Sequence, residues 1–330
     1  MSFSYMKRSA CLIFNPVAGQ SDSEQDLEKI QAILSPEIDL DIQLTTKEVG
    51  AKELAEAAVK RGVSAIIASG GDGTLSAAAG AVVGTDIPFG IISRGTANAF
   101  AAALEIPDTI EAACEVILQG GTRTIDAAYC NDLPMVLLTG IGFEAETVDK
   151  ADREAKNRFG VLAYIIAGFQ QLRSFETFDV EIETDDKIIK ASAAAVTVAN
   201  AAPPTSVLAQ GPAAIIVDDG LLDLTIVAPA NKAAAIAATF HLFQTASTGN
   251  SVERDDIGYM QAKKFKITTD PPQKVVVDGE IVGSTPVSIE CIPAAFKIFV
   301  PTLQQDDPIE KLNGLPNLTI EPKSDSKESI

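Results

Sequence analysis

The stretch that decides the fold is Gly70-Gly71-Asp72-Gly73-Thr74, which follows the apolar run Ala65–Ser69 and precedes the helix-like segment Leu75–Val83. The apolar run predicts a buried strand, so a strand leads into a glycine-rich loop and then a helix. Glycines let backbone N–H groups approach an anion without a Cβ in the way, and a helix N-terminus adds partial positive charge. A carboxylate beside phosphate becomes favourable when a divalent cation lies between them. The loop therefore indicates a nucleotide with its metal, and an ordinary strand-to-helix turn is the alternative.

The first 125 residues alternate between strand-like and helix-like segments, which is the pattern of a parallel sheet covered by helices. Strands are predicted at Ala10–Phe14, Ile38–Leu44, Ala65–Ser69 and Phe89–Ile92. Helices are predicted at Ser23–Leu34, Gly50–Arg61, Leu75–Val83 and Thr109–Gln119. We therefore expect residues 1–125 to form a Rossmann-like α/β domain that binds a nucleotide.

Beyond Thr122 the chain is dominated by short β-like runs separated by turns rich in Gly, Pro and Asp, as in a sandwich or barrel. These runs lie at Met135–Thr139, Phe178–Thr184, Ile188–Ala199, Leu222–Ala228, Lys264–Thr269, Lys274–Val277, Val287–Cys291 and Phe296–Val300. Two helix-like runs, Asp149–Ser174 and Asn231–Thr245, interrupt them. We expect a domain boundary near Arg123–Ala127, a mostly-β sandwich over residues 126–301 and a polar, disordered tail over residues 302–330.

Composition excludes several classes of function. The net charge of −19 on 330 residues argues against non-specific binding of nucleic acid. The four cysteines form no CxxC pair and His241 is the single histidine, so a zinc site is not expected. His241 lies in an apolar helix-like run and is interpreted as a helix-face residue. The N-terminal apolar run Cys11–Phe14 is too short for the core of a signal peptide, which favours a cytoplasmic protein.

Three further motifs belong with the glycine loop. Asn15-Pro16-Val17-Ala18-Gly19 follows the first predicted strand, and Arg94-Gly95-Thr96-Ala97-Asn98 follows a later one. Because ligands bind at the carboxyl ends of parallel strands, we expect these two turns and the glycine loop to converge on one crevice. Asp278-Gly279-Glu280 lies far downstream in the β-rich half, where it could place a carboxylate over that crevice.

These motifs, together with Asp219-Gly220-Leu221-Leu222-Asp223, resemble those of the diacylglycerol kinase catalytic-domain family, which includes bacterial soluble lipid kinases and sphingosine kinases. The resemblance runs in the same order from about Ser9 to Pro301. It implies ATP-dependent phosphorylation of a lipid hydroxyl, with the nucleotide held in the cleft between an α/β domain and a β-sandwich domain. The glycine motif alone is shared with NAD kinases and, more loosely, with phosphofructokinases.

The resemblance also implies roles for individual residues. The nucleotide contacts that it implies are Asn15, Thr46, Gly70, Gly71, Asp72, Gly73, Thr74, Leu75, Ser76, Arg94 and Thr96. Of these, Asp72 would lie near the metal and Arg94 would neutralise phosphate. From the residues alone, Thr46 could equally be the N-cap of the helix that follows it, and an Arg such as Arg94 in a turn is commonly a surface residue.

The implied catalytic residues are Glu280 as general base, Asp278 as its orienting partner or a further metal ligand, and Asp72. On sequence alone, Asp278-Gly279-Glu280 is also a hairpin turn, since Asp-Gly is a strong turn signal. The side chain of Asp219 and the carbonyls of Leu222 and Leu224 match a second, structural Mg²⁺ site, and an ordinary turn before a strand is the alternative reading.

The chain departs from the family pattern in two motifs on the expected substrate side. The family often has Asn-Glu where Ser76-Ala77 stands here, and Asn-Asp-Phe where Asn98-Ala99-Phe100 stands.

The leading hypothesis is an ATP- and Mg²⁺-dependent lipid kinase, and the alternatives are a NAD kinase-like enzyme and a nucleotide- or lipid-binding regulator with weakened turnover. The apolar run Phe159–Phe169 is read as a buried interdomain helix or as an interfacial one. The expected partner is a lipid met transiently at a membrane surface, and a homodimer is left open.

Overall fold

The computed structural model describes residues 8–142, 177–203, 206, 215–229, 241 and 254–301. The predicted helix 149–174 and the tail from 302 onward lie outside the described residues, as does the predicted helix 231–245 except for His241, which is helical. Among the helices of the described residues, none is long and apolar enough to cross a membrane.

The N-terminal part is a parallel sheet covered by helices, which confirms the predicted α/β class. Its strands are β1 (Arg8–Phe14), β2 (Ile38–Leu44), β3 (Ile66–Gly70) and β4 (Phe89–Ser93). Its helices are α1 (Ser23–Leu34), α2 (Ala51–Arg61), α3 (Asp72–Gly80), α4 (Ala99–Ala103) and α5 (Ile110–Gln119). The strands lie in the order β2-β1-β3-β4 and all pair in parallel. Helix α1 packs against α5, and α2 packs against α3. Because the four strands are parallel, their carboxyl ends lie at one edge of the sheet.

The N-terminus of α2 corrects one reading of Thr46. The N-cap of α2 is Gly50, whose N–H donates to the carboxylate of Glu53 over 3.0 Å. Thr46 instead closes a local turn, because its Oγ1 accepts hydrogen bonds from the N–H groups of Glu48 and Val49. The N-cap reading of Thr46 is therefore wrong, and its side chain is tied to its own loop.

Helix α3 begins earlier than the predicted segment 75–83, so that Asp72, Gly73 and Thr74 form its first turn. Gly71 is the extended N-cap, and its carbonyl accepts from the N–H groups of Thr74 and Leu75. The glycine motif is thus the helix N-terminus itself rather than a loop that precedes it. The N–H of Gly73 lies in the same first turn, where the helix itself offers no acceptor four residues back, and it can therefore donate to a ligand.

A second sheet of six strands, in the order β12-β11-β10-β7-β14-β15, packs on an extension of the first. The strands of this half are β5 (Thr122–Cys130), β6 (Leu133–Met135), β7 (Leu138–Gly142), β8 (Phe178–Glu183), β9 (Ile188–Ala193), β10 (Ala195–Ala199), β11 (Leu222–Val227), β12 (Ile257–Ala262), β13 (Lys264–Asp270), β14 (Lys274–Val277), β15 (Glu280–Ser284) and β16 (Val287–Phe299). Phe178, Phe265, Ile141 and Leu224 are buried in one cluster to which both sheets contribute. The predicted β-sandwich is confirmed.

Strand β16 joins the two halves of the molecule. The sequence predicted two strands, Val287–Cys291 and Phe296–Val300, but a bulge between Ile292 and Phe296 joins them into one. The early part of β16 pairs with β13, and Ile298 pairs in parallel with Phe89 of β4. The α/β sheet therefore continues into the sandwich as one ten-stranded sheet, and β5, which runs across the expected boundary, pairs with β16 along its length.

Candidate active site

Three loops meet at the carboxyl edge of the parallel sheet. The side-chain amide of Asn15 donates to Thr74 Oγ1 over 2.8 Å, which joins the loop after β1 to the first turn of α3. The N–H of Arg94 donates to the carbonyl of Gly70 over 2.7 Å, which joins the loop after β4 to the end of β3. The structure thus brings together the three motifs that the sequence placed on successive strand ends.

The glycines of these loops do different things. A Cβ on Gly70 would lie 2.7 Å from Thr74 Cβ, and a Cβ on Gly95 would lie 2.8 Å from the Cα of Gly71. These positions lack a side chain so that the loops can touch. Gly73 is different, because a Cβ there would meet nothing within 4 Å. Gly73 therefore borders the open space in front of the first turn of α3.

The carboxylate of Asp72 is used by the chain itself. Its Oδ1 accepts from the N–H of Phe100 over 3.1 Å, at the start of the short helix α4. Burial raises the pKa of Asp72 above its ordinary value, while the backbone N–H groups of Phe100, Ala99 and Asn98 oppose that rise. Asp72 thus holds the loop after β4 in place, and contact with a metal stays a prediction.

Arg94 is buried, and three contacts fix the direction of its guanidinium group. Its Nε donates to Asp26 Oδ2 over 2.9 Å, its Nη1 donates to the carbonyl of Asn15 over 2.9 Å, and its guanidinium lies 4.2 Å from the centre of the Phe14 ring. The surface-residue reading of Arg94 is therefore wrong, since only 6% of the residue is exposed. Contact between Arg94 and phosphate stays a prediction.

A cavity of about 460 Å³ opens beside Arg94. It is lined by residues 19–21, Asp26, residues 93–96, Asn98, Asp108 and Ile110, and so includes the predicted nucleotide contact Thr96. Three buried polar atoms of these lining residues have no hydrogen-bond partner among the described part of the chain: Ser93 Oγ, Arg94 Nη2 and Asn98 Oδ1. Buried polar groups of this kind are normally satisfied, so they suit a polar ligand.

The Asp278-Gly279-Glu280 segment is a turn between β14 and β15, as the turn reading predicted. Asp278 has φ of +48° and Gly279 has φ of +88°. The Asp278 carboxylate accepts from the N–H groups of Val136, Leu137 and Leu138 over 2.9, 2.9 and 3.0 Å. This contact explains why the predicted strand 135–139 is divided into β6 and β7, because these N–H groups face Asp278 rather than a neighbouring strand.

The negative charge of Asp72, in the glycine motif, acts on this turn. Burial raises the pKa of Asp278 to about 6; the three N–H donors oppose the rise and the negative charge of Asp72 adds to it. Glu280 is exposed and lies at the start of β15, opposite Val277. The fixed carboxylate of Asp278 and the exposed carboxylate of Glu280 therefore belong to the same turn, and the role of Glu280 as base stays a prediction.

The candidate second metal site lies at the start of β11. Asp219 is exposed and accepts from the N–H of Leu221 and from the Gln261 amide, whereas Leu222 and Leu224 are buried in β11. The sequence did not single out Asp223 as a ligand, yet it is buried. Its Oδ1 accepts from Tyr259 over 2.6 Å, and its Oδ2 has no hydrogen-bond partner among the residues that the structure describes.

Burial raises the pKa of Asp223, and the charge of Asp219 adds to that rise. Two neighbouring carboxylates are oxygen ligands of the type that Mg²⁺ takes. Within the described ranges, however, no cluster of three or more His, Cys, Asp or Glu residues could hold a metal ion.

Two further buried polar residues escaped the sequence analysis. Asp126 accepts from the N–H groups of Gly220 and Ala294, each over 2.7 Å, and so ties β5 to both halves of the sandwich. Asn200 donates to the carbonyls of Asp126 and Val136. The one available signal was the acid of Asp126 inside the otherwise apolar stretch of β5.

The fold and the site together define a class of two-domain proteins in which an α/β domain with a glycine-rich helix start is completed by a β-sandwich that brings a carboxylate turn to the cleft. Comparison with known proteins places the chain within that class. Residues 9–130 match the diacylglycerol kinase catalytic domain, and residues 138–300 match the YegS C-terminal NAD kinase beta sandwich-like domain. The chain belongs to the diacylglycerol kinase family.

Individual relatives agree with this assignment. An uncharacterized Synechocystis protein is 49% identical over 301 residues, covering 88% of this chain and 70% of the relative. A diacylglycerol kinase of Staphylococcus epidermidis is 29% identical over 301 residues, covering 90% and 93%. The crystal structure of a diacylglycerol kinase from Bacillus anthracis is 25% identical and superposes with a TM-score of 0.70, covering 89% of this chain and 97% of that one.

Proposed function

We propose that the protein is an ATP-dependent lipid kinase that transfers the γ-phosphoryl group to the hydroxyl of a diacylglycerol-like or related lipid alcohol. The observation that carries the proposal is the meeting of the Asp278-Gly279-Glu280 turn with the α/β domain. Asp278 binds the N–H groups of residues 136–138, the neighbouring Pro134 packs against Gly80 of α3, and the charge of Asp72 acts on Asp278. In this proposal, the turn would hold the exposed carboxylate of Glu280 beside the helix N-terminus, which can receive phosphate.

For the nucleotide, the proposal rests on the open space at Gly73 and on the unpartnered polar atoms around the cavity. The N–H groups of the α3 first turn would bind phosphate oxygens, and Asn15 and Thr96 would flank them. Phosphoryl transfer depends mostly on such positioning and on neutralisation of charge, and Mg²⁺ held near Asp72 would supply part of that neutralisation. A second Mg²⁺ at Asp219, Leu222 and Leu224, with Asp223 close by, would be structural.

For the acceptor, Glu280 would take the proton from the lipid hydroxyl as the hydroxyl oxygen attacks the γ-phosphorus and ADP leaves. General base catalysis of this kind contributes about 10²- to 10⁴-fold. Asp278 would act by fixing the turn that carries Glu280, because its carboxylate is bound to three backbone N–H groups. Ile281 and Val282, which follow Glu280, are 42% and 39% exposed and offer apolar contact beside it.

We further propose a cytoplasmic protein that meets its lipid transiently at a membrane surface. The exposed Ile281 and Val282 next to Glu280 support this location of the contact. In flotation with liposomes, the protein should rise with vesicles that contain the substrate lipid, and Ile281→Ser with Val282→Ser should reduce that fraction. Equal flotation of this double variant would count against the contact.

A catalytically weakened regulator is the second candidate, and one observation favours it. Ala99 places a methyl group where the family often has a carboxylate, beside the N–H groups that bind Asp72. Such a protein would bind ATP with Mg²⁺ and phosphorylate no lipid.

The test is transfer of label from γ-labelled ATP to a panel of diacylglycerol, phosphatidylglycerol, sphingosine and ceramide, with NAD as a further acceptor. Glu280→Gln should lower the rate by about 10²-fold or more without changing ATP affinity, because it removes a base and not a nucleotide contact. Glu290→Gln is the matched control, since Glu290 is an exposed glutamate of β16 that pairs with Lys264 of β13. A labelled NAD with no labelled lipid would replace the proposal by the NAD kinase alternative.

Gly73→Ala tests the nucleotide site separately. The new methyl meets nothing within 4 Å and adds helix propensity to α3, so the variant should fold at least as well as the parent. If phosphate occupies that space, ATP affinity should fall by about tenfold or more, by analogy with the 1–3 kcal/mol cost of overpacking. Gly258→Ala, whose methyl would lie 3.8 Å from Ile226, is the control. Unchanged ATP affinity in Gly73→Ala would remove the phosphate from this loop.

A further inference from the structure

Asp26 lies at the centre of a buried polar network and is one of the residues that line the cavity beside Arg94. It is in the first turn of α1, is 5% exposed, and accepts hydrogen bonds from Ser21 and from Arg94 Nε. Burial alone would raise the pKa of Asp26, but the hydrogen bonds from Ser21 and Arg94 hold it below its ordinary value. The carboxylate therefore remains ionised and paired with the guanidinium.

The network passes from Asp26 to the loops of the site. Arg94, held by Asp26, donates through Nη1 to the carbonyl of Asn15. Asn15 in turn donates through its side-chain amide to Thr74 Oγ1. One carboxylate on α1 therefore anchors a chain of contacts through the loop after β4 and the loop after β1 to the first turn of α3.

The backbone packs equally closely along this path. A Cβ on Gly19, at the end of the first loop, would lie 2.7 Å from the carbonyl oxygen of Arg94. A shift of Arg94 would therefore move both ends of the loop after β1 (residues 15–19), through the carbonyl of Asn15 and through the contact with Gly19. Because the interior is close-packed, such shifts are not absorbed locally.

Stability alone does not account for this arrangement. A buried ion pair costs desolvation that roughly offsets its attraction, so apolar residues of similar volume would stabilise the fold as well. What the pair supplies is geometry, because the planar guanidinium has fixed donor directions toward a carboxylate on one side and a carbonyl on the other.

We infer that Asp26 is a positioning residue for nucleotide binding, which acts through Arg94 to set the loop after β1 and the first turn of α3 at the spacing that the phosphates require. The inference rests on the proposed function for its ligand. It assigns Asp26 no contact with ATP, and it predicts that loss of the Asp26 charge weakens ATP binding and leaves lipid binding unchanged.

The experiment compares Asp26→Asn with Asp86→Asn in the full-length protein. Asp86 is the matched control because its side chain is 97% exposed and pairs with Lys297 over 2.8 Å on the surface. The affinity for ADP is measured by calorimetry, and KM for ATP and for the lipid, together with kcat, by label transfer. In Asp26→Asn the ADP affinity should fall and KM for ATP should rise by about tenfold, because Arg94 no longer holds the loop after β1 and the first turn of α3 at the required spacing, with KM for the lipid within about twofold.

A purely structural role gives a different pattern. It would lower kcat through a smaller folded fraction and leave KM for ATP and the ADP affinity of the folded molecules unchanged, and that result would overturn the inference. If Asp26→Asn is not recovered folded, Asp26→Glu provides the same test, since it keeps the charge but moves the carboxylate by one methylene. ADP affinity of Asp26→Glu equal to the parent would likewise overturn the inference.

The same experiment distinguishes failure of the proposed kinase activity from failure of the role of Asp26. A parent protein that binds no ADP and labels no lipid would refute the proposed function, and the inference with it. A parent that binds ADP and labels lipid, with Asp26→Asn unchanged in both nucleotide measurements, would refute the inference alone.

Discussion

The carboxyl group of Asp278 should make the stability of the protein depend on pH in a direction unusual for an aspartate. Its pKa is raised from 3.8 to about 6, first by burial and also by the charge of Asp72, despite three backbone N–H donors. The folded state therefore binds the proton more tightly than the unfolded state between these two values. Its contribution to stability is present at low pH and is lost as the pH rises through about 6.

The size of the effect follows from the two pKa values. At about 1.4 kcal/mol per pKa unit, a rise from 3.8 to about 6 corresponds to about 3 kcal/mol of stability that is present at low pH and lost by neutral pH. Because part of the titration lies below pH 4.5, about 2 kcal/mol of this loss falls between pH 4.5 and pH 7. Asp278→Asn carries no titrating group and should not show it.

The assay is urea unfolding of both proteins in EDTA at several pH values from 4.5 to 7. The stability of the parent minus that of Asp278→Asn should fall by about 2 kcal/mol over this range. Asp86→Asn is the control that should show almost no change over this range, since the hydrogen bond and charge of Lys297 lower the pKa of Asp86 and keep its titration below pH 4.5. A parent-minus-variant difference for Asp278 that is constant or rises with pH would refute the reasoning.

Three further predictions concern packing and burial. Gly95→Ala places a methyl 2.8 Å from Gly71 Cα, so the loops must separate by about 1 Å and kcat/KM for ATP should fall about 10²-fold, whereas the strand control Gly258→Ala should match the parent. Asp126→Ala leaves two N–H groups without an acceptor and should lower the free energy of unfolding in urea by about 3 kcal/mol; a loss below about 1 kcal/mol would contradict this. Burial raises the pKa of the Cys114 thiol to about 12, so it should react with a disulfide reagent at pH 8 only after unfolding, and rapid labelling of the native protein would contradict that assignment.

The sequence predicted the α/β half well because its signals there are local. Helix α1 and strand β2 have the predicted bounds, since the helical spacing of apolar residues marks α1 and the alternation of apolar and polar residues marks β2. The glycine motif, the Asn15 turn and the Arg94 turn were each assigned to a strand end, and the parallel topology brings strand ends to one edge.

The β-rich half was predicted less accurately because strand limits there depend on distant partners. The break between β6 and β7 exists because Asp278, 140 to 142 residues away, accepts hydrogen bonds from the N–H groups of residues 136–138. The joining of the two predicted strands into β16 depends on its long pairing with β5, which the sequence did not predict as a strand. Helix α4 was missed because five residues are too few for a periodic signal, and its first N–H groups are held by Asp72.

The sequence by itself determined the chemistry available at the site: the glycines, the amide of Asn15, and the carboxylates of Asp72, Asp278 and Glu280, in an order that resembles one family. Only the tertiary structure decided how they are used. It binds Asp72 and Asp278 to backbone N–H groups, leaves Glu280 exposed and pairs Arg94 with Asp26. The physical reason is that these contacts join segments 28 to 142 residues apart, and local sequence carries no record of such pairings.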